Sequence, residues 1–298
     1  MLYCQNLQKK DMKQFDELIS MIEEFNMKLN NSEAPPHSSN LLHQLKKREV
    51  NTLPFFNELC QYYFSFRDAA SNYNLDIESY ITNLVNMTNN YMDFFLQKNP
   101  FSHQADFTSS IIPEMFFLLM YRVVKEANLD LHVSAQAGVP IECMFDLHEN
   151  GRLMYKTKRL DMLVCKKTNI ILDEKSYDFV IPLIAMEMKT NLDKNMMSGI
   201  ENSVTALKKT FPNCLYFVVT EFSDMALDKL NYASSDVDEI YIIRKQKRAS
   251  VRSKKARRNE IDARLILELA TLCHKQIISI NDTMDSIDKR MKTGKLIN

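Results

Sequence analysis

Glycine is scarce in this 298-residue chain, which contains four. Neither G-x-x-x-x-G-K-[S/T] nor G-x-G-x-x-G occurs. That excludes the two phosphate-cradling loops, which depend on close backbone approach. No uninterrupted apolar run reaches the roughly eighteen residues of a membrane-spanning helix, so no membrane partner is expected. The opening Met1-Leu2-Tyr3-Cys4-Gln5 lacks the basic start and apolar core of a secretory signal. Cysteine is present six times, as Cys4, Cys60, Cys143, Cys165, Cys214 and Cys273, and never as C-x-x-C. Buried free thiols in a reducing cytosol are expected rather than disulfides or zinc. Six histidines without clustering disfavour a ββα-metal nuclease. Net charge is absent too, with 38 basic and 38 acidic side chains.

What is there begins with an ordinary globular composition, 45% hydrophobic and 26% charged. A chain of this length can bury a substantial core. The informative stretch is Arg159 to Thr190. Arg159-Leu160-Asp161-Met162-Leu163-Val164 and Ile181-Pro182-Leu183-Ile184-Ala185-Met186-Glu187-Met188-Lys189-Thr190 are apolar runs of β character interrupted by charge. On a strand Glu187 and Lys189 point to one face and Met188 to the other. Charges on an apolar strand are costly to desolvate unless paired or liganded. Such an E-x-K can be a cross-strand ion pair. With Asp161 it can also be a catalytic set. Asp161 and Glu187 supply the oxygen ligands that Mg2+ prefers, and Lys189 can position a water or offset developing charge. This D…ExK spacing resembles the PD-(D/E)xK nucleases. Leu160 stands where their Pro is usual.

Charge is unevenly distributed. Residues 1–100 hold nine Lys/Arg against twelve Asp/Glu. Arg244 to Arg258 holds nine basic residues and no acid: Arg244, Lys245, Lys247, Arg248, Arg252, Lys254, Lys255, Arg257 and Arg258. So dense a run is either a solvated basic loop or a polyanion contact. Lys46 and Lys47, followed by Arg48, close a short helix, where they complement its dipole or touch phosphate. Lys194 lies in a polar loop after the Glu187 strand, the end at which α/β proteins gather ligands. It is a phosphate contact or a solvated loop lysine.

Periodicity orders the rest. Helices are expected over Asp11–Leu29, Leu41–Arg48, Pro54–Asp68 and Ile77–Leu96, with a polar connector over Asn30–Asn40. Lys98-Asn99-Pro100 marks a boundary, because the residue before proline disfavours helix. Residues 1–100 thus read as a helical region with a DNA-contact or dimerisation role, and 101–298 as a nuclease domain. Ile111–Val124 is a buried helix. Glu114 on it is either a further metal ligand or a first-turn acid favoured by the dipole after Pro113. His103 caps a helix or contacts a phosphate. Strands are expected at Val139–Asp146 and Arg152–Lys158, around the turn Glu149-Asn150-Gly151. Others fall at Asn169–Leu172, Cys214–Thr220 and Glu239–Arg244. Helices follow at Met196–Lys209 and Ile261–Lys275, and the tail from Asp282 is polar and expected to fray.

From Ile111 the order is α-β-β-β-α-β, an α/β class with a PD-(D/E)xK-like mixed sheet flanked by helices and a helical N-terminal region. Four phrases carry a narrower resemblance: Ser39-Asn40-Leu41-Leu42-His43-Gln44-Leu45-Lys46, Ser102-His103-Gln104-Ala105-Asp106-Phe107, Met188-Lys189-Thr190-Asn191-Leu192-Asp193-Lys194-Asn195-Met196 and Ile243-Arg244-Lys245-Gln246-Lys247-Arg248. They resemble subunits of the Bpu-ten-I type II restriction endonuclease family. The resemblance implies Mg2+-dependent cleavage of double-stranded DNA at a short interrupted site built around C-T-N-A-G. It also implies a homodimer, or a heterodimer with a related subunit, in a prokaryotic cytoplasm. The alternatives are another PD-(D/E)xK nuclease of repair or phage defence, or a non-catalytic DNA-binding subunit.

Overall fold

Apolar residues three and four apart define the first helices. In this computed structural model, which describes residues 2–29, 33–47, 49–98, 105–146, 152–172, 174–225, 235–280, 291–292 and 294, they are α1 (Leu2–Met27), α2 (Pro36–Lys46), α3 (Leu53–Ser71) and α4 (Ile77–Lys98). On α3 the buried stripe is Phe56, Leu59, Cys60, Tyr63 and Phe66. On α4 it includes Tyr80, Leu84, Tyr91 and Phe95. Helix α2 starts inside the stretch expected to be a connector. Pro35-Pro36 reads as a breaker, yet Pro36 occupies the first helical turn, where a missing N–H costs nothing. Residues 30–32, Arg48, residues 99–104 with His103, the Glu149-Asn150-Gly151 turn and most of the tail after Ile280 lie outside the described residues.

After α5 (Ala105–Ser109), helix α6 (Ile111–Ala127) is buried on nearly every side and ends on Asn128 in the left-handed conformation. Phe107–Ala127 is long and apolar enough to cross a membrane by composition, but it lies mostly inside the fold, as a core helix does.

The strands are β1 (His132–Ala135), β2 (Gly138–Asp146), β3 (Arg152–Arg159), β4 (Met162–Leu172), β5 (Lys175–Leu192), β6 (Leu215–Ser223) and β7 (Glu239–Ile242). Helix α7 (Lys194–Thr210) links β5 to β6, and α8 (Arg248–Arg252) and α9 (Ala263–Ser279) follow β7. Five strands form a mixed sheet in the order β1-β4-β5-β6-β7, while β2 and β3 make a separate ribbon. The first two pairings are antiparallel and the last two parallel. Strand β1 has no counterpart among the strands expected from sequence, because four residues are too few for a periodicity to register. The short strand expected at Asn169–Leu172 is the end of the long β4, and Asp178 lies within the long β5.

Alternation sorts the sheet into two faces. Val164, Ile184, Met186, Met188, Phe217 and Val219 join one core with the N-terminal helices, α6 and α9. Leu163, Cys165, Ala185, Tyr216 and Val218 pack against Met197, Ile200, Val204 and Leu207 of α7. The first core runs from Phe15 to Ile277, so the helical region and the sheet share it. Cys60, Cys165, Cys214 and Cys273 are free and buried.

Polar groups stitch the helices together inside that core. Glu114 is fully enclosed and accepts from the Ser38 N–H and the Tyr63 hydroxyl, both at 2.7 Å, and from Arg67 at 3.4 Å. Burial pushes its pKa up, against Arg67 and the two donors. His37 is also enclosed, between Ser110 Oγ at 2.8 Å and the Tyr91 hydroxyl at 2.6 Å. Removing either partner of a buried pair strands the other. Glu114→Ala and Arg67→Ala should therefore each cost about 3–5 kcal/mol in urea unfolding, and the double variant less than their sum.

Desolvation lowers the His37 pKa from 6.5 to about 3, although the Phe107 carbonyl works the other way. Between those values the unfolded chain binds more protons than the folded one, so stability rises with pH through that window and is lost as pH falls. The urea midpoint should drop below about pH 6.5, with His37 contributing up to about 1.4 kcal/mol per pH unit. In His37→Gln that contribution should vanish.

Candidate active site

Asp161 sits in the turn between β3 and β4, and two backbone bonds hold that turn. Leu160 donates to the Ala137 carbonyl and Gln136 donates to the Asp161 carbonyl, each at 3.0 Å. Gln136 adopts a positive φ of 54° to do so. The β4–β5 ladder ends at Met162 opposite Met186, leaving the Met188 N–H beyond it. Asp161 Oδ2 accepts that N–H at 2.7 Å, which fixes the carboxylate against β5.

Glu187 and Lys189 share a face of β5, as their spacing requires. Lys189 Nζ donates to Glu187 Oε1 at 2.8 Å and lies 3.7 Å from Asp161 Oδ2. Glu187 Oε2 accepts from the Tyr216 hydroxyl at 3.2 Å, with Lys158 Nζ at 3.8 Å. Side-chain exposure is 10% for Glu187, 26% for Asp161 and 30% for Lys189. Burial raises the Asp161 pKa, opposed by the Met188 N–H and Lys189 and reinforced by Glu187. For Lys189 burial acts to lower the pKa, but the bond it donates to Glu187 and the charges of the two carboxylates outweigh it and the net shift is upward. Burial and the Glu187 charge push the Tyr216 phenol up.

The group opens on a cleft of about 570 Å³. Asp161, Lys189 and Thr190 form one wall, and Ser39, Asn40 and Ser110 belong to the other. Two carboxylates linked through one ammonium at a cleft can hold a hard divalent cation and still leave the ammonium to a phosphate. Asn191, on the same strand face, keeps a buried Oδ1 with no partner among the described residues.

The other expected residues are dispersed. Glu114 needs correcting as a metal candidate: both its oxygens are taken within the helical core, and it does not line the cleft. Among the described residues no group of three or more His, Cys, Asp or Glu is gathered to hold a metal. Arg244 needs correcting as a DNA contact. It is 2% exposed, donates to Glu221 at 2.8 Å and reaches the Asn259 carbonyl. Arg258 also donates to Glu221, and Lys245 pairs with Asp262. Lys247, Arg252, Lys254, Lys255 and Arg257 are exposed, Arg248 is half-buried, and no ion pair engages any of them among the described residues. Lys194 is exposed at the start of α7, next to the Asp193 cap, while Lys46 and Lys47 are exposed at the end of α2, Lys46 lying 3.9 Å from Glu23. Tyr216, Lys158, Gln136 and Asn40 were not legible as site residues. Only alternation on β6 could have placed Tyr216 against Glu187.

The mixed five-stranded sheet flanked by helices, with its helical N-terminal region, is found in a known structure. A solved structure of the native BbvCI A2B2 tetramer at low resolution shares the fold with a TM-score of 0.66 and 22% identity, over 82% of this chain and 97% of that one. The sequence model of the Bpu10I (Bpu-ten-I) restriction endonuclease matches residues 104–266, and the chain belongs to that family. No curated protein matches it.

Buried and exposed basic residues of this segment respond differently to removal. Arg244→Ala should cost on the order of 3 kcal/mol in urea unfolding, because it strips a buried partner from Glu221. Lys254→Ala, Lys255→Ala and Arg257→Ala should each stay within about 0.5 kcal/mol of the parent.

Proposed function

We propose that this chain is a subunit of a type II restriction endonuclease of the PD-(D/E)xK kind, cutting double-stranded DNA with Mg2+. The observation that carries this reading is the convergence of Asp161, Glu187 and Lys189 at the cleft, with Lys189 Nζ 2.8 Å from Glu187 and 3.7 Å from Asp161. Family membership supports the reaction class. Asp161 and Glu187 are the residues that would hold Mg2+; one carboxyl from a turn and one from a strand, both partly desolvated, suit a hard cation. When bound, the ion polarises a phosphodiester oxygen and lowers the pKa of a coordinated water.

The chain's own residues do the rest. The Met188 N–H keeps Asp161 oriented, and Tyr216 and Lys158 do the same for Glu187. Lys189, held as the ammonium by its two carboxylates, places positive charge where the phosphorane becomes more anionic. Lys247, Arg248, Arg252, Lys254, Lys255 and Arg257 clamp phosphates, with Lys194, Lys46 and Lys47 as further contacts. The target is a short interrupted site with a C-T-N-A-G core. The chain works as a homodimer or beside a related subunit, in a prokaryotic cytoplasm. Residues 101–298 form the nuclease domain, and residues 1–100 contribute to DNA contact or subunit pairing.

Asp161→Ala, Glu187→Ala and Lys189→Ala should each lower the cleavage rate on the order of a hundredfold or more while duplex binding persists. Plasmid cleavage with Mg2+, beside binding measured without cleavage, checks this. A variant cutting at near the parent rate would remove that residue from the catalytic set.

A further inference from the structure

Across the cleft from Lys189 stands a side chain whose orientation is dictated from inside the helical core. Ser110 Oγ has one proton, and it goes to the Phe107 carbonyl at 2.9 Å. The oxygen can then only accept. It does so from Asn40 Nδ2 at 3.0 Å, with His37 Nδ1 2.8 Å away. The His37 ring closes the chain, with Nε2 hydrogen-bonded to the Tyr91 hydroxyl at 2.6 Å. Every member has a use for each of its groups, and the chain is sealed from water at His37, Tyr91 and Ser110. Its one open end is Asn40, half-buried on the cleft wall.

Because Ser110 cannot donate, the Asn40 amide cannot flip. Nδ2 is turned inward, and one N–H and the whole of Oδ1 remain. Among the described residues nothing donates to that oxygen. A fixed donor beside a fixed acceptor is the wrong device for a phosphate, which only accepts. It matches a base edge that offers an acceptor beside an amino group, as adenine N7 and N6 do. Preorganisation also favours recognition over mere attraction, since a locked rotamer lowers the entropy cost of each contact.

We propose that Asn40 is a specificity-determining residue, reading one base edge through its oriented amide, with Ser110 and His37 as positioning residues behind it. This rests on the nuclease reading above and assigns to the N-terminal helical region a part in choosing the sequence cut.

The test is cleavage by the full-length chain, with its partner subunit where one is required, on duplexes varied one base pair at a time. Asn40→Ala should lose about five- to a hundredfold discrimination at a single position and keep it elsewhere, with the salt dependence of binding unchanged. Asn40→Asp should move the preference at that same position towards cytosine, whose amino group donates to a carboxylate. Ser110→Ala, which leaves Asn40 in place but frees its amide, should relax the same position in part. Unchanged discrimination at every position in Asn40→Ala overturns the proposal. So does a uniform loss on all sequences with the salt slope flattened by about one, the mark of a phosphate contact. If the parent enzyme cuts without sequence preference, this inference and the restriction reading fail together. If the parent is selective and Asn40→Ala equally so, only this inference fails.

Discussion

One hydrogen bond sets the geometry at the cleft: the Met188 N–H donating to Asp161 Oδ2 at 2.7 Å. Met188 is on β5, the middle strand of the sheet, and Asp161 on the turn that ends the β2–β3 ribbon's return. The antiparallel ladder stops two residues before Met188, so a buried backbone donor is left over. Such a donor must find a partner. Asp161 takes it, and the carboxylate thereby arrives beside Lys189. Backbone completion and the placing of an acid are the same event.

Among the described residues three acidic side chains are buried, Glu114, Glu187 and Glu221, and each is handled by pairing. Glu114 has Arg67, Glu221 has Arg244 and Arg258, and Glu187 has Lys189. The first two clusters use guanidinium and are enclosed, with Glu114, Arg67, Glu221 and Arg244 all almost without exposure. The third uses a lysine that is itself partly open to the cleft. An arginine fork locks two elements together. A lysine on a flexible stem can let go of one carboxylate and meet an incoming phosphate. The choice of base separates the two arginine-held pairs from the proposed reactive pair more clearly than burial of the acids does.

Much of this was legible in the chain. The strand carrying Glu187 and the one that begins just after Asp161 announce themselves as apolar runs interrupted by charge, and the two-residue step between Glu187 and Lys189 fixes their common face whatever the tertiary structure. Order along the chain was enough for strands β2 to β7 and for helices α3, α4, α6 and α9, but not for β1 or for the order of strands in the sheet. Partners distant in sequence were not legible. Glu114 finds Ser38 and Tyr63, and Arg244 finds Glu221 and Asn89, at separations no periodicity encodes. A lone acid on an apolar helix therefore suggests a ligand, and a basic run suggests a clamp, until the neighbours are known. Asn40 carried no signal of its own, since its orientation comes from Ser110 and His37.

The same point bears on how the proposed DNA surface is built. Nine basic residues in fifteen count equally in sequence, but their electrostatic worth depends on what else they touch. Arg244 and Arg258 are consumed by Glu221, and Lys245 by Asp262. Those pairings also order the charges that remain. They pin the segment at both ends, at the exit of β7 and just before α9, while the Ala249 N–H bonds Asp224 in between. A free basic loop would lose entropy on meeting a phosphate backbone, and part of its attraction would offset that loss. Held at Arg244, Ala249 and Arg258, the loop has already lost that freedom on folding. On the proposed reading, the arginines taken up in ion pairs set the reach and spacing of the lysines and arginines left to meet phosphate.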